Sequence, residues 1–220
     1  LEALIAAGGG RFKGIRHGAA WDADAGIMKY ASRPVAEHMV LDPTFREGFA
    51  QLGKLGLTFE TWQYHPQLLD AADLARAFPE TTMILDHCGG VLGIGPYRGK
   101  RDEILVEWKK SIAALAACPN VNVKLGGVGM TTYGFDFHER DTPPSSKELA
   151  DAWRPYIEGC IEAFGPDRCM FESNFPPDKQ SGGYTELWNA FKLIAAGASK
   201  DEKRAMFSGT AARVYGLIAP

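Results

Sequence analysis

The sequence lacks the features of a membrane-spanning, secreted or zinc-finger protein. No apolar run approaches the roughly 20 residues that a membrane helix needs, and no basic start followed by an apolar core marks a signal peptide. The four cysteines, Cys88, Cys118, Cys160 and Cys169, form no CxxC pair. We therefore expect a cytoplasmic protein with reduced, buried thiols and no disulfide framework.

The sequence also lacks a large excess of positive or negative charge. The chain has 24 Lys and Arg residues against 27 Asp and Glu residues, a net charge of −3. This balance gives no reason to expect nucleic acid or an anionic membrane as a partner, so a small-molecule substrate is the expected partner. No GxGxxG or GxxxxGK[ST] sequence follows an apolar run, which weakens a nucleotide-binding interpretation.

The sequence has a regular alternation of short apolar runs and longer amphipathic segments. Strands are predicted within 11–22, 57–65, 81–90, 121–127 and 168–174, and helices at 41–56, 66–80, 102–117, 146–164, 184–196 and 200–214. Asp42 is a predicted N-cap with Pro43 at the first helical position. Alternation without strand hairpins predicts an α/β protein with a parallel sheet, either doubly wound or closed as a barrel.

The start of the chain suggests that it belongs to something longer. Leu1 takes the place of a methionine and falls inside a predicted helix, "LEALIAAGGG". We therefore interpret residues 1–220 as one domain that forms the C-terminal portion of a longer protein.

Polar residues are concentrated where the predicted strands end. They are Arg16 and His17, Tyr64 and His65, Asp86 and His87, Lys124, and Glu172 with Asn174. The carboxyl ends of the strands face the ligand crevice in parallel α/β folds. One histidine at a strand end could equally be a core residue with a satisfied hydrogen bond, but histidines at three strand ends favour a functional site.

Six segments, taken in order, resemble the amidohydrolase-2 branch of the amidohydrolase superfamily: "GRFKGIRH", "LTFETWQYHPQL", "ILDHCGG", "NVNVKLGG", "RCMFESNFPPD" and "FSGTAARVYGL". The similarity is to its lactonase-like members, such as 2-pyrone-4,6-dicarboxylate lactonase and sugar-lactone hydrolases. It implies a (β/α)8 TIM barrel that here lacks its first two strand–helix units. Such an incomplete barrel either belongs to a longer chain or exposes two sheet edges, which favours a homo-oligomer.

The resemblance implies a hydrolase that opens a lactone or related cyclic ester by water attack at the C-terminal mouth of the barrel. His87 matches a family histidine that serves the reacting carbonyl or a metal. Arg16, with His17 beside it, matches a substrate-binding arginine, whose planar guanidinium suits a carboxylate. Asp22 stands near the place of a second family arginine, so a dianionic substrate is doubtful.

The predicted strand at 57–65 carries two aromatic candidates for substrate contact, Trp62 and Tyr64. Side-chain alternation places them on one face of the strand, with His65 on the other face, from which it could turn into the cleft. The sequence does not choose between these faces, and both aromatics could equally be core residues.

Asn174 stands where the family has an aspartate that accepts a proton or ligates a metal. An amide cannot act as a base, so we expect Asn174 to position water or substrate, with Glu172 or Asp178 as the base. Burial would raise the pKa of Glu172, which suits proton transfer. The alternative is that Glu172 is a buried partner of Lys124. Asp86 is expected on the opposite face of its strand from His87.

A metal site is not assigned in this sequence. A catalytic zinc site needs three protein ligands, and the sequence has no His-x-His pair and an asparagine at 174. A divalent metal such as zinc is left open for the intact protein. Two other functions also remain open: a non-oxidative decarboxylase of the same family, and a non-catalytic ligand-binding barrel.

Overall fold

The strands form one parallel sheet in the computed structural model, which describes residues 1–31 and 33–217. They are β1 (Gly14–Gly18), β2 (Thr58–Trp62), β3 (Met83–Leu85), β4 (Val121–Leu125) and β5 (Cys169–Phe171). Their spatial order is the same as their order in the chain. A doubly wound sheet reverses its order at a switch point, whereas a barrel does not. The sheet is therefore an incomplete barrel, as the resemblance implied, and the doubly wound alternative is wrong.

Helices lie before, between and after the strands. They are α1 (Glu2–Gly8), α2 (Ala25–Met28), α3 (Pro43–Lys54), α4 (Leu68–Ala77), α5 (Arg101–Ala116), α6 (Ser146–Phe164), α7 (Tyr184–Ile194), α8 (Lys200–Arg204) and α9 (Thr210–Tyr215). The Asp42 side chain accepts from the Phe45 amide at 3.0 Å and caps α3 as predicted. The predicted helix at 200–214 is interrupted by a π-helical segment, Ala205–Gly209.

The two faces of the sheet differ in chemistry, and this difference positions the site. Val121, Val123 and Leu125 of β4 belong to the main hydrophobic core, which also contains residues of α4 to α7. Lys124, between them, points to the inner face and pairs with carboxylates there. The apolar face thus holds the helices, and the inner face is left for polar side chains.

The cysteines lie in the interior of the protein. All four cysteines are free and buried, as predicted. Among the described residues, no helix combines the length and apolar character needed to cross a membrane.

Candidate active site

The cleft at the carboxyl ends of the strands has a volume of about 340 Å³, which suits a small ligand. Ligand sites fall roughly between 300 and 1,000 Å³. The lining residues include five predicted site residues, which are Arg16, Trp62, Tyr64, His87 and Asn174. They also include Tyr30, Met130, Thr131, Thr132 and Gln180, which the sequence analysis did not identify.

His87 and Glu172 form the central pair of this cleft. The Nδ1 atom of His87 hydrogen-bonds to Oε1 of Glu172, and the imidazole edge packs on Trp62 with ring centroids 4.8 Å apart. Gly127 makes room for this arrangement, because a Cβ there would lie 2.4 Å from Cβ of His87. With Nδ1 engaged, Nε2 is the nitrogen that remains for a ligand.

The contact between His87 and Glu172 shifts the pKa of each group in the direction that favours its charged form. Burial alone would lower the pKa of His87, but the charge and hydrogen bond of Glu172 outweigh it and the pKa is raised. Burial alone would raise the pKa of Glu172, but His87, Lys124 and Arg16 outweigh it and the pKa is lowered. The expectation of a raised Glu172 pKa is therefore wrong, since burial here comes with cationic partners.

A charged network continues from this pair across the inner face of the sheet. Nζ of Lys124 lies 2.9 Å from Oε2 of Glu60 and 3.1 Å from Oδ1 of Asp86, and 3.8 Å from Oε2 of Glu172. Arg16 also contacts Glu60, at 2.6 Å, and Asp86, at 3.0 Å. The three carboxylates are thus compensated by cations of the chain itself.

Asp86 belongs to this inner network, so the expectation that it lies on the opposite face from His87 is wrong. β3 ends at Leu85, and His87 adopts a left-handed conformation with φ 58°. Asp86 still follows the strand alternation, because it lies two residues after Ile84, which pairs with inner-face Glu60. The positive φ of His87 then brings the imidazole to the same side as Asp86. Burial raises the pKa of Asp86 to about 6, although His87, Lys124 and Arg16 oppose the rise.

Asn174 lines the cleft, whereas Asp178 lies behind it. Nδ2 of Asn174 donates to Oδ1 of Asp178 at 2.7 Å, and the Gly129 amide donates to Oδ2 at 3.1 Å. Asp178 is only 1% exposed, and burial raises its pKa to about 7. Both carboxylate oxygens are engaged, so the structure does not place Asp178 within reach of a cleft ligand.

His17 and His65 are directed away from the cleft. The His17 ring packs edge-on against Phe45 of α3, with centroids 5.7 Å apart. Nδ1 of His65 accepts from the Leu92 amide at 3.2 Å, and burial lowers the pKa of His65 to about 4. β2 ends at Trp62, so strand alternation does not extend to His65. Both histidines therefore contribute to packing around the sheet.

Two buried hydroxyl groups beside the cleft lack partners. Oη of Tyr64 and Oγ1 of Thr132 have no hydrogen-bond partner among residues 1–31 and 33–217, and both residues line the cleft. A buried polar group without a partner is costly, and such groups in native proteins usually serve a ligand, water or ion. Each of these hydroxyls therefore has unused hydrogen-bonding capacity beside the cleft.

The fold and the site together define a parallel α/β barrel with a polar cleft at the mouth of the sheet. The family model for amidohydrolases matches residues 1–217. The uncharacterized protein y4mH of Sinorhizobium fredii is 36% identical over 205 residues, covering 93% of this chain and 61% of that protein. The chain belongs to the amidohydrolase family.

Two further similarities come from Burkholderia multivorans. L-fucono-1,5-lactonase is 26% identical over 218 residues, covering 96% of this chain and 65% of the enzyme. The crystal structure of an amidohydrolase with bound zinc superimposes with a TM-score of 0.73 at 25% identity, covering 94% of this chain and 65% of that one. The chain thus spans less than two thirds of the length of these relatives.

The donor atoms of the described residues do not fit a divalent metal. Within residues 1–31 and 33–217, no three His, Cys, Asp or Glu side chains are grouped as a metal site. Nδ1 of His87 is engaged by Glu172, and Lys124 sits among the carboxylates at 2.9 to 3.8 Å. An ammonium group in that position repels a cation. These residues therefore cannot form a metal centre by themselves in the arrangement observed.

Proposed function

We propose that this protein is a lactonase that opens the ring of a sugar-type lactone by water attack. The observation that carries the proposal is the His87–Glu172 pair: His87 lines the cleft, and its contact with Glu172 engages Nδ1 and leaves Nε2 for a ligand. The lactonase relative named above supports the same reaction class. A proton acceptor fixed in this way is what water attack on an ester carbonyl requires.

The neutral form of His87 acts as the general base. Glu172 fixes the tautomer by accepting from Nδ1, which leaves the lone pair of Nε2 for the attacking water. As the water proton moves to Nε2, the carboxylate stabilises the imidazolium that forms, as the third group does in a catalytic triad. When the tetrahedral intermediate collapses, the bond between the carbonyl carbon and the ring oxygen breaks, and Nε2–H returns its proton to that oxygen as a general acid. Glu172 therefore acts through His87, and it does not contact the water itself.

Arg16 stabilises the oxyanion that develops on the ring carbonyl. Its Nε and Nη2 atoms are held by Glu60 and Asp86, which leaves the Nη1 amino group for a ligand. A fixed cationic donor is most effective where charge develops during the reaction. Because two carboxylates already balance this arginine, it suits a transient charge on oxygen better than a permanently dianionic substrate.

A neutral, polyhydroxylated ring is the substrate class that the cleft suits best. Hydroxyl groups of such a ring would satisfy Oη of Tyr64 and Oγ1 of Thr132, and the Trp62 face offers an apolar platform for the ring. Asp22 does not contribute to the cleft, since it accepts a hydrogen bond from Tyr97 at 2.8 Å. A second arginine for a second carboxylate is not found among the residues that line the cleft.

A divalent metal has no step in this mechanism, because the donors of the described residues do not fit one. Any zinc bound by the intact protein would need ligands in addition to His87. Elemental analysis of the purified full-length protein, before and after dialysis against a chelator, measures this point separately from the reaction.

The proposal is tested by incubating the full-length protein with five- and six-membered sugar lactones and following acid release with a pH indicator. We expect acid release that His87→Gln abolishes, while the matched variant His138→Gln retains it. Two other substrates complete the panel: 2-pyrone-4,6-dicarboxylate and 2,6-dihydroxybenzoate. Carbon dioxide release from the benzoate would establish a decarboxylase, and lactone binding without turnover would establish a non-catalytic barrel.

A further inference from the structure

Asn174 is hydrogen-bonded to a buried carboxylate, that of Asp178. Asp178 is 1% exposed, and it accepts from Nδ2 of Asn174 at 2.7 Å and from the Gly129 amide at 3.1 Å. Neither oxygen of Asp178 is directed to the cleft. The group nevertheless contacts a residue that lines the cleft, so its influence on a ligand must pass through Asn174.

The contact is built into the loops that follow β4 and β5. Oγ of Ser181 donates to the Gly129 carbonyl at 2.5 Å, and the Asp178 amide donates to the Asn174 carbonyl at 3.0 Å. Gly129 is closely approached, because a Cβ there would lie 3.0 Å from the Asp178 side chain. Asn174 itself adopts φ 46°. The amide of Asn174 is thus held at its backbone and at its side chain.

Hydrogen-bond chemistry then fixes the polarity of the amide. Above its raised pKa of about 7, as at pH 8, the Asp178 carboxylate is ionised and only accepts. It already receives the Gly129 amide, so the amide of Asn174 turns its NH₂ group toward Asp178. Its Oδ1 atom is left on the other side, where Asn174 lines the cleft. The cleft consequently receives a hydrogen-bond acceptor at this position instead of a donor.

We propose that Asp178 is a positioning residue that orients Asn174 so that the cleft binds a hydroxyl donor, either a substrate hydroxyl or the attacking water. The kinetic consequence of this inference rests on the proposed function, whereas the orientation of the Asn174 amide is independent of that function. Asp178 has no role as a base in this arrangement. By orienting Asn174, Asp178 determines that Asn174 presents an acceptor to ligands in the cleft.

A double-mutant cycle tests the proposal at pH 8 in the full-length protein. Asp178→Asn introduces an NH₂ group that opposes either Nδ2 of Asn174 or the Gly129 amide, so we expect kcat/KM for a sugar lactone to fall about tenfold. In an Asn174→Ala background the same change should cost less than twofold, because the residue through which it acts is gone. The exposed Asp102→Asn variant is the matched control and should leave kcat/KM unchanged.

If the losses in kcat/KM of the two single variants multiply in the double variant, the proposal is overturned, because Asp178 then acts independently of Asn174 and has a merely structural role. A second measurement needs neither a variant nor activity. In the unmutated protein, one side-chain amide proton of Asn174 should be protected from solvent exchange and shifted downfield in a ¹⁵N-resolved proton spectrum. Two rapidly exchanging protons would refute the orientation, whereas a protected proton in a protein without lactonase activity would refute only the proposed function.

Discussion

His87 and Glu172 form a hydrogen-bonded pair across 85 positions of the chain, and each one makes the charge of the other more favourable. The imidazole gains basicity from the carboxylate, and the carboxylate stays ionised although it is buried. The pair combines a fixed tautomer with a strengthened base. This relationship underlies the first prediction.

Replacement of Glu172 by Gln should lower activity and move its pH dependence. The amide removes the negative charge that raises the pKa of His87, so the base is weaker and its tautomer is no longer fixed. We expect kcat to fall by about 10²-fold or more, and the acid limb of the kcat/KM profile to move to lower pH. Steady-state kinetics across pH 5 to 9 measures both effects.

The exposed Glu162→Gln variant is the matched control for this change, since its partner Lys109 lies 4.0 Å away at the surface. It should retain the activity and the profile of the unmutated protein. An unshifted acid limb in Glu172→Gln would contradict the assignment of His87 as the base.

Removal of the Tyr64 hydroxyl should weaken substrate binding without loss of stability. Oη of Tyr64 is buried and has no partner among the described residues, so Tyr64→Phe removes an unsatisfied group and should leave the free energy of unfolding unchanged or higher. KM for a polyhydroxylated lactone should rise about tenfold. Urea denaturation and initial-rate kinetics measure the two quantities.

Tyr156→Phe is the comparison for Tyr64→Phe, and we expect it to change stability instead of substrate binding. Oη of Tyr156 accepts from Nη1 of Arg101 at 2.8 Å, away from the cleft. Its loss should lower the free energy of unfolding by about 1 kcal/mol or more and leave KM unchanged. Equal behaviour of the two variants would count against a ligand at Tyr64.

Replacement of Lys124 by Met should destabilise the fold strongly. Lys124 compensates Glu60 and Asp86 on the buried inner face, and removal of one partner from such a network typically costs 3–5 kcal/mol, so we expect about 3 kcal/mol or more. Lys109→Met is the control, because its side chain is half exposed and the loss should stay below about 1 kcal/mol. The midpoint of urea unfolding measures both changes.

Asp178 should make the stability of the protein fall as the pH rises. Its pKa is raised to about 7 by burial, from an ordinary value of 3.8, so the folded state favours the protonated form. The stabilisation is complete below about pH 4 and is lost as the pH rises through 7, at up to about 1.4 kcal/mol for each unit. Asp178→Asn removes this dependence.

The measurement is urea unfolding at pH 5 and pH 8 for both proteins. The free energy of unfolding of Asp178→Asn, minus that of the unmutated protein, should be larger at pH 8 than at pH 5. For the exposed Asp102→Asn variant this difference should be the same at both pH values. A constant difference between the two pH values would contradict the raised pKa.

Local signals made the secondary structure predictable. The cap at Asp42 followed by Pro43 marks the start of α3, and the α6 range of Ser146–Phe164 agrees with the prediction at both ends. The order of the strands was open in the sequence, because alternation of strands and helices fits two topologies equally well. Only the pairing of consecutive strands decides between them.

The site was predictable where a side chain lies within a strand or directly at its end, and less so beyond it. Arg16 and Trp62 lie in strands and reach the cleft, whereas His65 lies past the end of β2 and packs elsewhere. Asp86 was misplaced because its neighbour His87 has a positive φ. Thr132 comes from a loop whose course depends on distant contacts, and a single sequence carries no signal for it.

The balance of charges on the inner face also bears on how a substrate arrives. While His87 is protonated, three cationic groups, Arg16, Lys124 and His87, stand against three anionic groups, Glu60, Asp86 and Glu172. Loss of the His87 proton, which makes it a base, leaves an excess of one negative charge. Opposite charges held this close together project little field into solution. Encounter with a neutral ring should therefore proceed at the same rate in dilute buffer and in concentrated salt.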